Sequence, residues 1–258
     1  MGGLVSAIAF PAPKLARQAY EKLEKRPELV WLATQFGEPI PALYLEPTAI
    51  SPGAGYVLLY SHGNAEDLGL HMPFIDALAK ATGARVFSYE YIGYSLSRFS
   101  GGVPSEEACY RSIETAWNYL VDRVDPAKII VYGRSIGTGP TVDLAARVGD
   151  AIAGVFLQSP LESAIRAALG YVSSHTMYPI DIFRNYEKMH KIQCPVAICH
   201  GMTDVVVPCD GGKNLLAAAP HPFPPCWLDN YGHNDMPYSK VFAYLNAFLA
   251  SLPSASSR

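Results

Sequence analysis

The sequence contains no apolar run of the roughly 18 residues that a membrane-spanning helix needs, so no spanning segment is expected. It also lacks an excess of either charge. Lys and Arg number 20 against 23 Asp and Glu, a net charge of -3. That balance offers no basic stripe to a nucleic acid, and none is expected as a partner. Cysteine is scarce: Cys109, Cys194, Cys199, Cys209 and Cys226 form an odd count with no C-x-x-C pair. A disulfide framework is therefore not expected, and no Cys/His spacing supports zinc. The pattern suits a reduced, cytoplasmic chain. No G-x-x-x-x-G-K-[ST] is present, which excludes a P-loop, and "GTGPTV" lacks the G-x-G-x-x-G of a dinucleotide site.

What is present is a globular composition. Half of the 258 residues are hydrophobic, and Gly and Pro number 21 each, enough for a sizeable core with many tight connections. No linker, repeat or low-complexity block interrupts the chain. One domain over 1–258 is expected, with an N-terminal helix and anchor region at 1–28.

Strand and helix patterns alternate. A charged amphipathic helix is expected over 13–25, then a β-hairpin around Gly37-Glu38-Pro39. Short apolar runs at 55–61, 84–90, 128–133, 153–159, 195–201 and 225–230 read as buried strands. Helices are expected at 69–82, Pro104–Asp122, 136–149, 210–219 and 237–252. A Gly/Ser-rich loop covers 93–103, and about 160–193 reads as irregular, a minimal cap. The pattern predicts an α/β fold: an eight-stranded, mostly parallel sheet with helices on both faces. Ligands then bind along the edge holding the strand C-termini.

One turn stands out. "VYGRSIGTGP" (131–140) sets Gly133-Arg134-Ser135-Ile136-Gly137, a G-x-S-x-G, between a strand and a helix. A serine held on so sharp a turn needs neighbours without side chains, and Gly133 and Gly137 supply that room. Packing alone also produces such turns. A nucleophilic serine requires a base, and the base an orienting acid. In this architecture both follow the serine, acid first. Asp204 comes after the 195–201 strand and His233 after the last one. Asp229 and Asp235 compete with Asp204, while His200 would reverse the order. Upstream, "LLYSHGNAEDLG" places a turn at another strand end. The Asn64 backbone N–H there is paired with that of Ile136 as a candidate oxyanion hole. Ala65 is the alternative donor. Ala65, with Tyr94 on the 93–103 loop, is also a candidate substrate contact.

The N-terminal "MGGLVS" fits M-G-x-x-x-S, which makes Gly2 a candidate for N-myristoylation and peripheral membrane attachment.

Several segments together resemble the α/β-hydrolase superfamily, and more narrowly its ABHD17-like (FAM108) branch. They are "SHGNAEDLG", "FSYEYIGYS", "YGRSIGTGPTVDLAAR", "LQSPLESAIR", "CPVAICHGMTD" and "YGHND", in order between about residues 29 and 250. The resemblance implies Ser135 as nucleophile, Asp204 as acid and His233 as base, with no metal or cofactor. Animal members of the branch are acyl-protein thioesterases that remove palmitate from membrane-associated proteins. This chain departs from them in having no cysteine before Cys109, and Arg134 where glutamine is more usual. The expectation is a monomeric serine hydrolase of carboxylic esters or thioesters, including lipidated proteins. The compact cap points to short acyl esters. A serine peptidase or a non-catalytic binding protein of the same fold are the alternatives.

Overall fold

The computed structural model describes residues 10–47, 53–170 and 177–253. Gly2 and the rest of 1–9 in the expected helix and anchor region lie outside the described residues, as do 171–176 of the expected cap.

Eight strands form one sheet in the order β1-β2-β4-β3-β5-β6-β7-β8. They are β1 (Leu29–Ala33), β2 (Pro39–Leu45), β3 (Val57–Ser61), β4 (Arg85–Tyr89), β5 (Ile129–Arg134), β6 (Gly154–Gln158), β7 (Val196–Gly201) and β8 (Cys226–Leu228). The β1–β2 hairpin and the β2–β4 pair are antiparallel, and the remaining pairs are parallel. Seven α-helices are described: α1 (Glu21–Glu24), α2 (Met72–Thr82), α3 (Glu106–Val121), α4 (Thr138–Val148), α5 (Ala164–Leu169), α6 (Cys209–Ala218) and α7 (Tyr238–Ser251). Among the described residues no helix is long and apolar enough to cross a membrane.

Successive side chains along a strand point to opposite faces, and this period divides the core in two. Val57, Leu59, Val131, Val155 and Leu157 face one side and pack with residues of α3, α4 and α6. Leu58, Tyr60, Ile130, Tyr132 and Phe156 face the other and pack with residues of α2 and α7. Both faces are covered, which is why β3, β4, β5 and β7 read as unbroken apolar runs. The α3 start follows its local chemistry. Ser105 caps it by accepting from the Ala108 N–H at 3.0 Å, and Glu106 and Glu107 lie in the first turn.

The opening segment differs from the predicted helix over 13–25. A 3-10 turn, Arg17–Tyr20, runs into α1, which stops at Glu24. Pro27 disfavours helical backbone at the residue before it, and Pro11 and Pro13 lie upstream. Tyr20 and Leu23 are buried and anchor this short piece. The 93–103 loop also carries order of its own, a 3-10 helix over Ser95–Ser100.

The aromatic contact of α7 with the sheet tests this packing. Phe248 is fully buried against Phe156 and Phe223. Phe248→Ala should lower the unfolding free energy by about 3–5 kcal/mol, read as a reduced midpoint in urea with an unchanged slope.

Candidate active site

The C-terminal ends of β3, β5, β7 and β8 bring the candidate residues to one sheet edge. At the end of β5 the backbone turns abruptly, and Ser135 has φ +52°. A non-glycine residue held there costs on the order of 1–3 kcal/mol, so the surroundings must enforce it. They do so by crowding. A Cβ at Gly137 would stand 2.3 Å from the Ser61 carbonyl oxygen, and one at Gly133 2.7 Å from that of Gly137. Thr138 Oγ1 donates to the Ser135 carbonyl at 2.6 Å, closing the turn into α4.

Ser135 Oγ lies 2.9 Å from His233 Nε2, and His233 Nδ1 lies 2.7 Å from Asp204 Oδ2. With the carboxylate accepting the Nδ1–H, Nε2 is free to accept the serine proton. The other Asp204 oxygen accepts from the Val206 and Val207 amides at 2.9 and 2.8 Å. Burial opposes ionisation of Asp204, but hydrogen bonds from His200, His233 and the Val207 amide prevail. They hold its carboxyl well below the usual carboxylate range. Asp235, the competing acid, instead accepts the Gly232 amide at 2.6 Å and shapes the His233 turn.

His200 is a partner that the acid–base order does not reveal. Its Nε2 lies 2.9 Å from the Val207 carbonyl and 3.2 Å from Asp204 Oδ2. A carbonyl cannot donate, so this nitrogen carries the proton and the ring braces the acid loop. Asp204 therefore sits between two imidazoles.

The turn after β3 rests on a buried pair. His62 Nε2 contacts Glu90 Oε1 at 2.9 Å and Nδ1 contacts the Gly63 carbonyl at 2.8 Å. Both ring nitrogens face acceptors, so the ring is an imidazolium. Glu90 also accepts from Ser95 Oγ and from the Leu68 and Tyr91 amides. Burial opposes both charges, but each holds the other charged: the His62 pKa is raised and that of Glu90 lowered. Burial and the neighbouring His62 charge push His71 down to about 4, so it stays neutral.

Arg134 joins three loops. Nη1 donates to Glu66 Oε1 at 2.6 Å, and Nη2 to Asn234 Oδ1 at 2.9 Å. Glu66 Oε1 also accepts the Gly63 amide at 2.7 Å. One guanidinium thus ties the serine turn to the Asn64 turn and to the His233 turn. Burial works against the Glu66 charge, yet Arg134 keeps its carboxyl below the ordinary value.

Two cavities meet here. One, about 510 Å³, holds Asn64, Ser135 and Ile136 at an apolar wall that includes Leu161, Ile165, Phe183 and Val206. The other, about 580 Å³, lies beyond His233 and is lined by Ala65, Glu66, Arg134 and Asn234 among others. Asn64 borders both. Ala65 has a left-handed backbone, φ +58°, that turns the loop between them. Tyr94 does not reach substrate space, contrary to expectation. Its ring is fully buried beside His62 and Tyr91, and its hydroxyl donates to Asn64 Oδ1 at 2.9 Å. It supports the Asn64 turn from below, because the 3-10 helix at Ser95 turns the loop inward.

The ion pairs generate two predictions. In a double-mutant cycle, Arg134→Met and Glu66→Gln should couple by about 0.5–3 kcal/mol, measured by chemical denaturation; additive losses would contradict the clamp. Glu90→Gln should destabilise by about 3–5 kcal/mol by stranding His62. The lowered Glu90 pKa contributes stability above its ordinary value of 4.5, lost as pH falls. The raised His62 pKa contributes below its ordinary value of 6.5, lost as pH rises. The gap between wild type and Glu90→Gln should therefore be widest between these values and narrow on both sides.

A family profile of the alpha/beta hydrolase fold matches residues 56–190. Alpha/beta hydrolase domain-containing protein 17B of Homo sapiens is 41% identical over 203 residues, covering 78% of this chain and 68% of that protein. The 17C protein of Xenopus laevis is also 41% identical over 203 residues, but the match spans only 63% of its length. Among solved structures, the Pyrococcus furiosus esterase Pf2001 superposes with a TM-score of 0.68 at 15% identity, covering 93% of this chain and 95% of that one. The esterase RhEst1 from a Rhodococcus species gives 0.65 at 16%, covering 88% and 100%. At such identities these two speak for the fold alone. With an eight-stranded sheet of this order, a matching profile and relatives at 41% identity, the chain belongs to the alpha/beta hydrolase family.

Proposed function

We propose that the protein is a serine hydrolase of acyl esters and thioesters acting through an acyl-enzyme. The observation that carries this is the hydrogen-bonded line Ser135–His233–Asp204 opening onto an apolar cavity. Ser135 Oγ attacks the acyl carbonyl as His233 Nε2 takes its proton. Asp204 holds the imidazole tautomer and stabilises the imidazolium. The amides of Ile136 and Asn64 receive the oxyanion, each such donor contributing about 3–4 kcal/mol in the transition state. His233 then returns the proton to the leaving oxygen or sulfur. Water, activated by the same ring, releases the acid and restores Ser135.

The two cavities support a division of the substrate. The apolar cavity suits an acyl chain, and its volume of about 510 Å³ falls in the range of pockets that enclose whole ligands. It favours longer chains over the short ones that a compact cap suggests. The polar cleft suits a hydrophilic leaving group. Together with the relationship to the domain-containing protein 17 relatives, this supports an S-acylated polypeptide as the natural substrate class.

A fluorophosphonate probe should label the folded protein at Ser135, and Ser135→Ala should abolish labelling. Equal labelling of the variant would overturn the reading. Across p-nitrophenyl esters from acetate to palmitate, kcat/KM should rise beyond butyrate. Asp204→Asn should lower kcat by roughly 10³–10⁴-fold.

A further inference from the structure

The sheet carries a second reactive arrangement that the proposed mechanism does not use. Cys199 on β7 and Cys226 on β8 are direct register partners of a parallel ladder. Both side chains belong to the apolar cluster on the α7 face, so they project to the same side. Adjacent strands lie about 4.8 Å apart, inside the roughly 4.4–6.8 Å Cα separation that a disulfide bridges. Both thiols are free. Cys199 is fully buried, whereas Cys226 is partly exposed at the end of the sheet.

We propose that Cys199 and Cys226 form a dithiol oxidation site that a peroxide closes into a β7–β8 disulfide, with Cys226 attacking and Cys199 resolving.

The order of attack follows from the surroundings. Cys226 is the accessible thiol on the last strand, so a peroxide reaches it first, while Cys199 lies fully buried beside it. The adjacent Cys199 thiol, with help from nearby Lys240, lowers the Cys226 thiol pKa against the effect of its burial. The other cysteines are held protonated. Burial pushes Cys194 up to about 12 and also raises Cys109 and Cys209. Thiolate character with access is what selects a cysteine for oxidation.

In the first step the Cys226 thiolate attacks a peroxide oxygen. A sulfur–oxygen bond forms, the oxygen–oxygen bond breaks, and hydroxide leaves to become water. In the second step Cys199 sulfur attacks Cys226 sulfur. The disulfide forms, the sulfur–oxygen bond breaks, and its oxygen departs as water with the Cys199 proton. Two thiols are oxidised and one peroxide is reduced.

The same two strands lead into the loops bearing Asp204 and His233. Those loops are tied by backbone bonds from Met202 N–H to the Leu228 carbonyl and from Thr203 N–H to the Tyr231 carbonyl, both 2.9 Å. A covalent tie two rungs inward of the last pair, Gly201 with Leu228, moves the strands toward the roughly 5.5–6 Å that disulfides favour and shifts the 2.7 Å Asp204–His233 contact. Oxidation then slows ester hydrolysis, a consequence that rests on the hydrolase reading above.

The test treats the full chain with hydrogen peroxide, blocks remaining thiols with N-ethylmaleimide, and maps peptides by mass spectrometry. A linked Cys199–Cys226 peptide is expected, removed by dithiothreitol and absent in Cys226→Ser. In Cys199→Ser, dimedone should capture a sulfenic acid on Cys226. Circular dichroism checks that both variants fold, and Cys226→Ala serves as the second variant. Unlinked Cys199 and Cys226 in folded, peroxide-treated wild type would overturn the site. Hydrolysis of p-nitrophenyl butyrate should fall about tenfold on oxidation and recover with dithiothreitol. A linked peptide with an unchanged rate would overturn the coupling. An untreated protein with no turnover is instead a failure of the hydrolase reading, and the peptide map still decides the site.

Discussion

The left-handed backbone at Ser135 is the constraint around which this edge of the sheet is arranged. A serine at φ +52° is unfavourable in isolation. It persists because Gly133 and Gly137 let β3, β5 and the start of α4 approach at backbone distance. Parallel pairing of β5 with both β3 and β6 fixes where the strand must end. Beneath the turn, Thr141 Oγ1 donates to Ser61 Oγ at 3.2 Å, and Ser61 in turn pairs with Tyr89. The strain is therefore opposed by packing and hydrogen bonds from several strands, and Ser135 is aimed before any ligand arrives.

Around that turn, buried charge is always answered. Asp204 has two imidazoles and two amides, Glu90 an imidazolium, a hydroxyl and two amides. Glu66 has Arg134 and the Gly63 amide. Each pair loses hydration on burial, so none need add much net stability. What each contributes is position. Removing one member leaves an uncompensated charge, which makes alternative loop arrangements costly. Loops carry few apolar contacts, and here ionic contacts take the role that side-chain packing has in the core.

Much of the fold was readable because its signals are local. Apolar runs of strand length, bounded by Gly, Pro and capping residues, mark the strands and helices from β1 to α7 within a few residues, except α5 (Ala164–Leu169), a six-residue helix inside the 160–193 stretch expected to be irregular. The order Ser135, Asp204, His233, each past a strand end, was equally readable, and so was the turn at Asn64. What was hidden depends on contacts between distant positions. Arg134 meets Glu66 and Asn234 across 68 and 100 residues, and no local pattern announces such pairings. Tyr94 read as a substrate contact because it lies on the Gly/Ser-rich 93–103 loop, but Ser95 bonds to Glu90 and draws the segment inward. The amphipathic pattern at 13–25 overstated the helix because the flanking prolines outweigh periodicity over so short a stretch.

The division of the site into two cavities follows from where the side chains of the relay point. Ser135 borders the apolar cavity and His233 the more polar cleft, with Asn64 the residue common to both among the described residues. Under the proposed mechanism the acyl group must join the serine while the leaving group takes its proton from the histidine. The two fragments therefore part toward surroundings of different polarity, the cleft being the more polar of the two. An apolar chain gains less in the cleft, where Glu66, Arg134 and Asn234 stand beside Leu70, Phe74 and Met236, and a hydrated peptide or alcohol would lose hydrogen bonds against Leu161, Ile165 and Phe183. Substrate orientation thus needs no dedicated recognition residue. It follows from the partition of apolar and polar surface on either side of the Ser135–His233 hydrogen bond, which the Arg134 clamp holds in register by joining the loops that carry each half.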